Sequence, residues 1–341
     1  MKIMQVIAGA EFGGAEEFFT RLCVALSETS ISQRVVLRKN EKRSRRLRDG
    51  GIDPLELNFG GKLDFYTPWV LKREIDSFAP DILFSWMNRA TSMCPKVRDF
   101  IHLGRMGGYY NLKYYDQCDH LIANTEDIKA YIIRNGWSPS KVDYLPNFVD
   151  IQESKPLLKK TFYTPENAPL ILAMGRFHEN KAFDILLDAL SKVPDAYLWI
   201  AGDGPLKTEM ERYAEKLGVK PRTRFLGWHN DVGKLLSSAD IFVCPSRHEP
   251  LGNVIIEAWG HNIPVISAAS QGPNVLINND INGILFPIDD SKTLAREINR
   301  LINEPIVGSI LSENGQKTYE NNFSKEIVVK KYVEFFERML K

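Results

Sequence analysis

The sequence predicts an α/β chain of two doubly wound, Rossmann-like domains, and three observations carry that expectation. Short runs rich in Val, Ile, Leu and aromatic residues alternate with amphipathic helical stretches throughout, which is the pattern of parallel sheets. The runs fall into two sets, separated by the polar, Pro-containing, aperiodic stretch NFVDIQESKPLLKKTFYTPENAP. At 341 residues the chain is also longer than one typical core and suits two domains of about 150 residues each.

Taken in order, the first strand candidates are KIMQVIA, RVVLR, LELNF, DILFSW, FIHLGR, HLIAN and KVDYLP, with helices predicted over 15–27 and 68–78. The second set runs LILAMGR, YLWIAGDG, RFLGW, IFVCPS, VISAAS and GILFPI. The boundary falls within 150–168, giving a first domain over 1–160 and a second over 161–323. A closing helix is predicted over 324–340, with apolar residues at 328, 329, 332, 333, 335 and 336.

Composition excludes several classes. Hydrophobic residues at 44% and charged residues at 26% are ordinary for a soluble globular chain; a net charge of +1 says nothing by itself about partners, and no nucleic-acid partner is expected. Cys23, Cys94, Cys118 and Cys244 are scattered through apolar segments with no CxxC pair, so buried thiols in a reducing cytosol are expected. The six histidines show no metal-ligand spacing. No apolar run approaches the roughly 20 residues of a membrane span, and the N-terminus turns polar too soon for a signal peptide. The expectation is a cytoplasmic protein whose membrane contact, if it has one, is peripheral. The run RKNEKRSRRLR (38–48) holds seven basic side chains against one acid and reads as a loop. It is either a solvated surface or a patch for the anionic inner membrane face or a polyanionic acceptor.

In open α/β sheets ligands bind beyond the carboxyl ends of the strands, and two such domains in tandem would enclose a cleft there. Three motifs sit at strand ends. Gly13 and Gly14 open the first helix, where glycine lets backbone amides approach a phosphate; a plain tight turn fits equally. The NAD fingerprint GxGxxG, with its acidic ribose partner, is missing. Arg176 and Lys181 in GRFHENK follow the strand LILAM, and two fixed cations at a strand tip suit a diphosphate. In PSRHEPLGNVIIEAWG, Pro250 holds Glu249 extended at the strand tip, and a helix begins at Gly252–Asn253. The amides of Leu251, Gly252 and Asn253 would then meet phosphate oxygens. Glu257, one turn below Asn253, would take both ribose hydroxyls, leaving Glu249 to face whatever lies beyond the phosphates.

These residues resemble a known family. EPLGNVIIE (249–257) is similar to the glutamate, seven residues, glutamate motif of retaining GT-B glycosyltransferases of family 4 (glycosyltransferase group 1), and GRFHENK to that family's GRL-x-x-x-K-G segment. IAGDGPL (200–206), FLGWHNDV (225–232) and NGILFPIDD (282–290) fall in family order, and GGAE (13–16) is a looser match in the first half. The resemblance implies the GT-B fold, two Rossmann-like domains facing each other across a cleft. It implies a nucleotide diphosphate sugar as donor, a glycan or glycolipid acceptor, and a closing helix returning to the first domain. Arg176 and Lys181 would hold the diphosphate, Glu257 the ribose and Glu249 a donor-sugar hydroxyl. Backbone around Trp228 and His229 would line the base pocket, and Gly14 would approach the donor phosphate from the opposite domain. The family's first-domain histidine loop corresponds here to LGRMGGYYN (103–111), which has none, leaving Asn88, Arg105 or Tyr109 as substitutes. With Arg and Lys in a metal's place, a metal-independent transferase acting in cell-surface glycan or lipopolysaccharide synthesis is expected. A nucleotide-sugar epimerase or a catalytically silent sugar-nucleotide-binding protein is the alternative.

Overall fold

The computed structural model describes residues 1–11, 13–61, 63–96, 99–151, 154–229 and 231–341. The chain divides into two compact units, one formed by Met1–Phe148 with Lys325–Lys341, the other by Val149–Ser324.

The first unit holds strands β1 (Lys2–Ile7), β2 (Ser32–Arg38), β3 (Leu55–Leu57), β4 (Ile82–Trp86), β5 (Ile101–Met106), β6 (His120–Ala123) and β7 (Val142–Tyr144). They form a sheet of order β3-β2-β1-β4-β5-β6-β7, and every pairing is parallel. Helices α1 (Gly14–Ser27), α2 (Glu41–Asp49), α3 (Tyr66–Phe78), α4 (Met87–Met93) and α5 (Glu126–Arg134) connect them. The strands read as continuous apolar runs because both faces of a parallel sheet are covered. Ile3, Ile7, Phe84 and Trp86 pack with α1 on one face, and Met4, Val6, Leu71 and Ile75 pack on the other.

The basic run expected as a loop is largely helical. Arg38 ends β2, and α2 begins after Asn40, whose side chain caps it by accepting from Arg43 N at 2.9 Å. Arg43, Ser44 and Leu47 turn inward, so α2 is anchored by one inward stripe despite its polar composition. Its cations are partly spent. Arg43, only 6% exposed, donates to Ala10 O at 3.0 Å, and Arg46 pairs with Glu17 at 2.6 Å. Lys39, Lys42, Arg45 and Arg48 stay exposed.

The second unit holds β8 (Leu170–Met174), β9 (Tyr197–Ala201), β10 (Thr223–Gly227), β11 (Ile241–Cys244), β12 (Val265–Ala268) and β13 (Ile284–Phe286). Their order is β10-β9-β8-β11-β12-β13, again parallel at every pairing. Its helices are α6 (Phe183–Leu190), α7 (Lys207–Lys216), α8 (Val232–Leu236), α9 (Asn253–Gly260), α10 (Gln271–Leu276), α11 (Ser291–Asn303) and α12 (Pro305–Asn322). The strand order reverses between β8 and β11, so the tips of these two strands define the crevice of this sheet.

The stretch read as a linker belongs largely to the second unit, which begins at Val149 rather than near residue 161. Its polar groups are used there. Leu157 N donates to Ser238 Oγ at 2.7 Å, Lys159 Nζ reaches Asp240 at 2.8 Å, and Arg224 Nε donates to Phe162 O at 2.5 Å. The final helix, α13 (Lys325–Met339), is part of the first unit. It buries Val328, Tyr332, Phe335 and Phe336, and the ring of Phe336 lies 5.7 Å from that of Phe84. Each such aromatic contributes roughly 1.5–3 kcal/mol by burial, so α13 is integral to that core.

Candidate active site

At the switch point of the second unit the tips of β8 and β11 bring two motifs distant in sequence together. Lys181 lies in the turn before α6, and Glu249 lies five residues beyond β11. Their side chains meet with Nζ to Oε2 at 2.5 Å, and they are 23% and 13% exposed. Burial works against the Lys181 charge, but the Glu249 carboxylate holds its pKa above the ordinary lysine value. Arg176 stands exposed just past β8, and among the described residues no carboxylate pairs with it.

Glu249 is held by its backbone. Gly272 N donates to Glu249 O at 2.8 Å, and a Cβ on Gly272 would stand 2.5 Å from Leu251 O, so only glycine lets α10 approach this loop. Gly252 then adopts the left-handed conformation, φ 89°, and α9 starts at Asn253. Leu251 and Gly252 are buried, while Asn253 and Glu257 are half-buried one turn apart on α9. The Glu257 carbonyl is bound by His261 Nδ1 at 2.9 Å. At the tip of β10, Trp228 is 69% exposed, and the His229 ring stands 6.1 Å from that of Phe162. Asn230, within the same motif, lies outside the described residues.

Two residues near this edge escaped the sequence reading. Arg247, inside PSRHEP, ties three loops together. It reaches Asp184 at 2.6 Å and Asp289 at 2.6 Å, and it donates to Glu179 O at 2.9 Å. Its hydrogen bond to Asp184 raises its pKa and keeps it charged. A cation two residues before Glu249 was the available signal. Ser270, past β12, is 2% exposed, and its Oγ has no partner among the described residues. The acidic pair of NGILFPIDD is occupied: Asp289 pairs with Arg247, and Asp290 caps α11 by accepting from Thr293 N at 3.0 Å.

In the first unit the predicted residues part company. A Cβ on Gly13 would overlap the Glu16 carboxylate, which is buried and accepts from Ala10 N at 2.7 Å. The glycine there makes room for a protein carboxylate, and one loop amide is already satisfied. Arg105, offered by the sequence as an acceptor-side cation, lies in the core instead. It is 1% exposed and donates to Tyr332 OH at 3.0 Å and to Asn147 Oδ1 at 2.5 Å. Its guanidinium lies 4.5 Å from the Trp86 ring and 4.7 Å from that of Phe18, so it is a core cation held by aromatic faces. Tyr109 bonds Asp127 and stacks edge-on against Tyr131 at 5.3 Å; burial and that carboxylate push its pKa up to about 12. Asn88 differs. Its Oδ1 is buried with no partner among the described residues, and it follows Met87, strained at φ 66°. Asn124, beyond β6, likewise keeps a buried Oδ1 without a described partner, which no sequence signal announced.

Known proteins resemble this chain along nearly its whole length. The family model for group 1 glycosyl transferases matches residues 154–318, and that for glycosyltransferase family 4 matches residues 12–153. A lipopolysaccharide core biosynthesis glycosyltransferase of Rhizobium meliloti, LpsD, is 32% identical over 340 residues, covering 99% of this chain and 98% of the relative. A glycosyltransferase structure from Rickettsia africae superimposes with TM-score 0.90 at 21% identity, covering 100% of this chain and 98% of the other. The Anabaena HepE structure in complex with UDP-glucose gives 0.85 at 20%, covering 99% of this chain and all of the other. Both share the two-domain GT-B fold of this chain. On the match to the Rhizobium protein along nearly its whole length, the chain belongs to the group 1 glycosyltransferases of the GT-B fold.

Proposed function

We propose that the chain transfers a sugar from a nucleotide diphosphate sugar to a hydroxyl of a lipid-linked or cell-surface glycan, with retention at the anomeric carbon. The observation that carries this reading is the Lys181–Glu249 pair at the switch point of the second unit, beside the start of α9. As the glycosidic bond breaks, negative charge grows on the leaving diphosphate. Lys181 and Arg176 are fixed cations for that charge, and the amides of Leu251, Gly252 and Asn253 add oriented donors. Such preorganised groups are worth about 10²–10³ in rate each. A bound diphosphate shares the Lys181 ammonium and releases Glu249 to accept a hydroxyl of the donor sugar. Glu257 takes the ribose, and the Trp228–His229 strand tip takes the base. On this reading cations replace a divalent metal, and the engagement of Asp289 and Asp290 within the protein supports it.

The relative named for lipopolysaccharide core biosynthesis supports the acceptor class, and the fold match to a UDP-glucose complex supports the donor class. In the first unit, Asn88 is the candidate for the acceptor side, because its buried oxygen lacks a partner among the described residues. The exposed cations of the 38–48 run face an anionic acceptor or membrane surface. No helix among the described residues is long and apolar enough to cross a membrane. A thermal-shift screen of nucleotide diphosphate sugars tests the donor assignment, because only a ligand of the folded state raises the melting point. A rise with a diphosphate sugar and none with the free sugar is expected; no rise with any member of the panel contradicts it.

A further inference from the structure

Four large apolar side chains stand in water within seven residues of the first unit. Leu63 is 86% exposed, Phe65 77%, Tyr66 62% and Trp69 59%. Single exposed apolar residues are ordinary, but a contiguous group marks an interaction surface. The rings of Tyr66 and Trp69 pack on each other with centroids 6.2 Å apart. Their presentation is built into the fold. The Asp64 carboxylate accepts from Gly60 N at 2.6 Å, from Thr67 N at 2.9 Å and from Thr67 Oγ1 at 2.6 Å, while Thr67 itself is fully buried. The turn is therefore pinned beneath its apolar tip, and the side chains pay no large ordering cost on contact.

We propose that this β3–α3 turn is an interfacial anchor that inserts into an anionic lipid bilayer, with the cations at the start of α2 as its electrostatic partner. The proposal rests on the membrane-surface reading of residues 38–48 and supplies the apolar component that reading lacks. The two segments adjoin: Lys39 N donates to Leu57 O at 3.0 Å, so the loop entering α2 and the loop leaving β3 share one sheet edge. Lys39, Lys42 and Arg45 are exposed on the α2 side, and Arg73 is exposed one turn beyond Trp69. Trp and Tyr favour the membrane–water interface, where a ring is half apolar and half wet. Cations beside an apolar face complete the pattern of surface-lying anchors. A second copy of the chain is a poorer occupant. A symmetric contact would place the same face on itself and bring like cations together.

Flotation of the full chain with vesicles tests this, comparing phosphatidylcholine alone with phosphatidylcholine containing phosphatidylglycerol. The wild-type chain should float with the anionic vesicles and retain part of its binding at about 1 M salt, where screening acts within roughly 3 Å. The variant Phe65→Ser, Tyr66→Ser, Trp69→Ser should lose binding about tenfold or more, and the salt-resistant part entirely. Lys39→Ser, Lys42→Ser, Arg45→Ser should weaken binding chiefly at low salt. Because the serine variant can fail by misfolding, Trp69→Phe gives a second readout: it should keep flotation while removing the tryptophan quenching caused by brominated lipid. Wild-type flotation that is unchanged in the folded serine variant, with no quenching assigned to Trp69, overturns the anchor and leaves the electrostatic reading standing. Failure of the wild-type chain to float with either vesicle overturns both. A dimer that the serine substitutions abolish overturns the anchor alone.

Discussion

Replacing Lys181 by Met keeps the length of the side chain and removes its charge, so it isolates what the ammonium does. Glu249 then loses the cation 2.5 Å away while remaining 13% exposed. An exposed pair is worth about 0–1 kcal/mol, and a fully buried one costs about 3–5 kcal/mol to break. The intermediate exposure of this pair places the loss near 1–2 kcal/mol, which is a drop of roughly 2–8 °C in melting temperature for a domain of this size. A reading of Lys181 as an isolated surface cation would give no such drop. The raised Lys181 pKa also sets the direction of its pH dependence. The stabilisation is fully present below the ordinary lysine value of 10.5 and is lost as pH rises through the higher folded value. The melting gap between wild type and variant should therefore close only in strong alkali. Turnover, followed as nucleoside diphosphate release, should fall about 10²–10³-fold. Adding Glu249→Gln should recover part of the melting loss, because no carboxylate is stranded, and none of the turnover. A folded Lys181→Met chain with wild-type melting and wild-type turnover would remove Lys181 from both the ion pair's stability and the site.

Glu257→Gln should weaken binding of the bare nucleotide by about 1.5–3 kcal/mol, whereas Glu249→Gln should spare it and damage transfer; calorimetry showing both variants equally poor would remove the division of labour. Arg105→Ala should cost about 3–4 kcal/mol of stability, through a cavity and the stranded Tyr332 and Asn147 groups, and chemical denaturation measures it; an unchanged midpoint would remove Arg105 from the core network. Asp143 is held at a pKa of about 2 chiefly by its hydrogen bond from His120 and further by Arg338 of α13. Its contribution is present above the ordinary value of 3.8 and lost as pH falls through about 2. With partial exposure discounted it is worth about 1–2 kcal/mol, so Asp143→Asn should destabilise the chain at neutral pH and leave the gap to wild type narrowing between pH 4 and 2.

Every predicted strand run contains a strand, because a parallel sheet covered on both faces leaves continuous apolar runs in the sequence. The strand–loop–helix run that carries Glu249 and Glu257 was legible for a related reason: Pro250, Gly252 and two glutamates at fixed spacing follow one of those apolar runs. What was not legible depends on partners far away in sequence. The segment Glu41–Asp49 has one large apolar residue, Leu47, and reads as a charged loop; its helix comes from the Asn40 cap and from an inward stripe that includes an arginine. Arg105 reads as an available cation until Phe18, Trp86, Asn147 and Tyr332 close around it. The polar stretch after Phe148 reads as a linker because hydrogen bonds to Ser238 and Asp240 have no local signature. Helix α12 was hidden too, since the residues it buries, Gly308, Leu311, Ser312 and Gly315, are mostly small.

The most direct test of the central claim is calorimetric titration of the full chain with a panel of nucleotide diphosphate sugars in the presence of a chelator, alongside Lys181→Met and Glu257→Gln. The wild-type chain should bind one equivalent of a diphosphate sugar, with affinity reduced about tenfold or more in each folded variant. Wild-type binding that neither substitution weakens, or none with any nucleotide sugar, would contradict it.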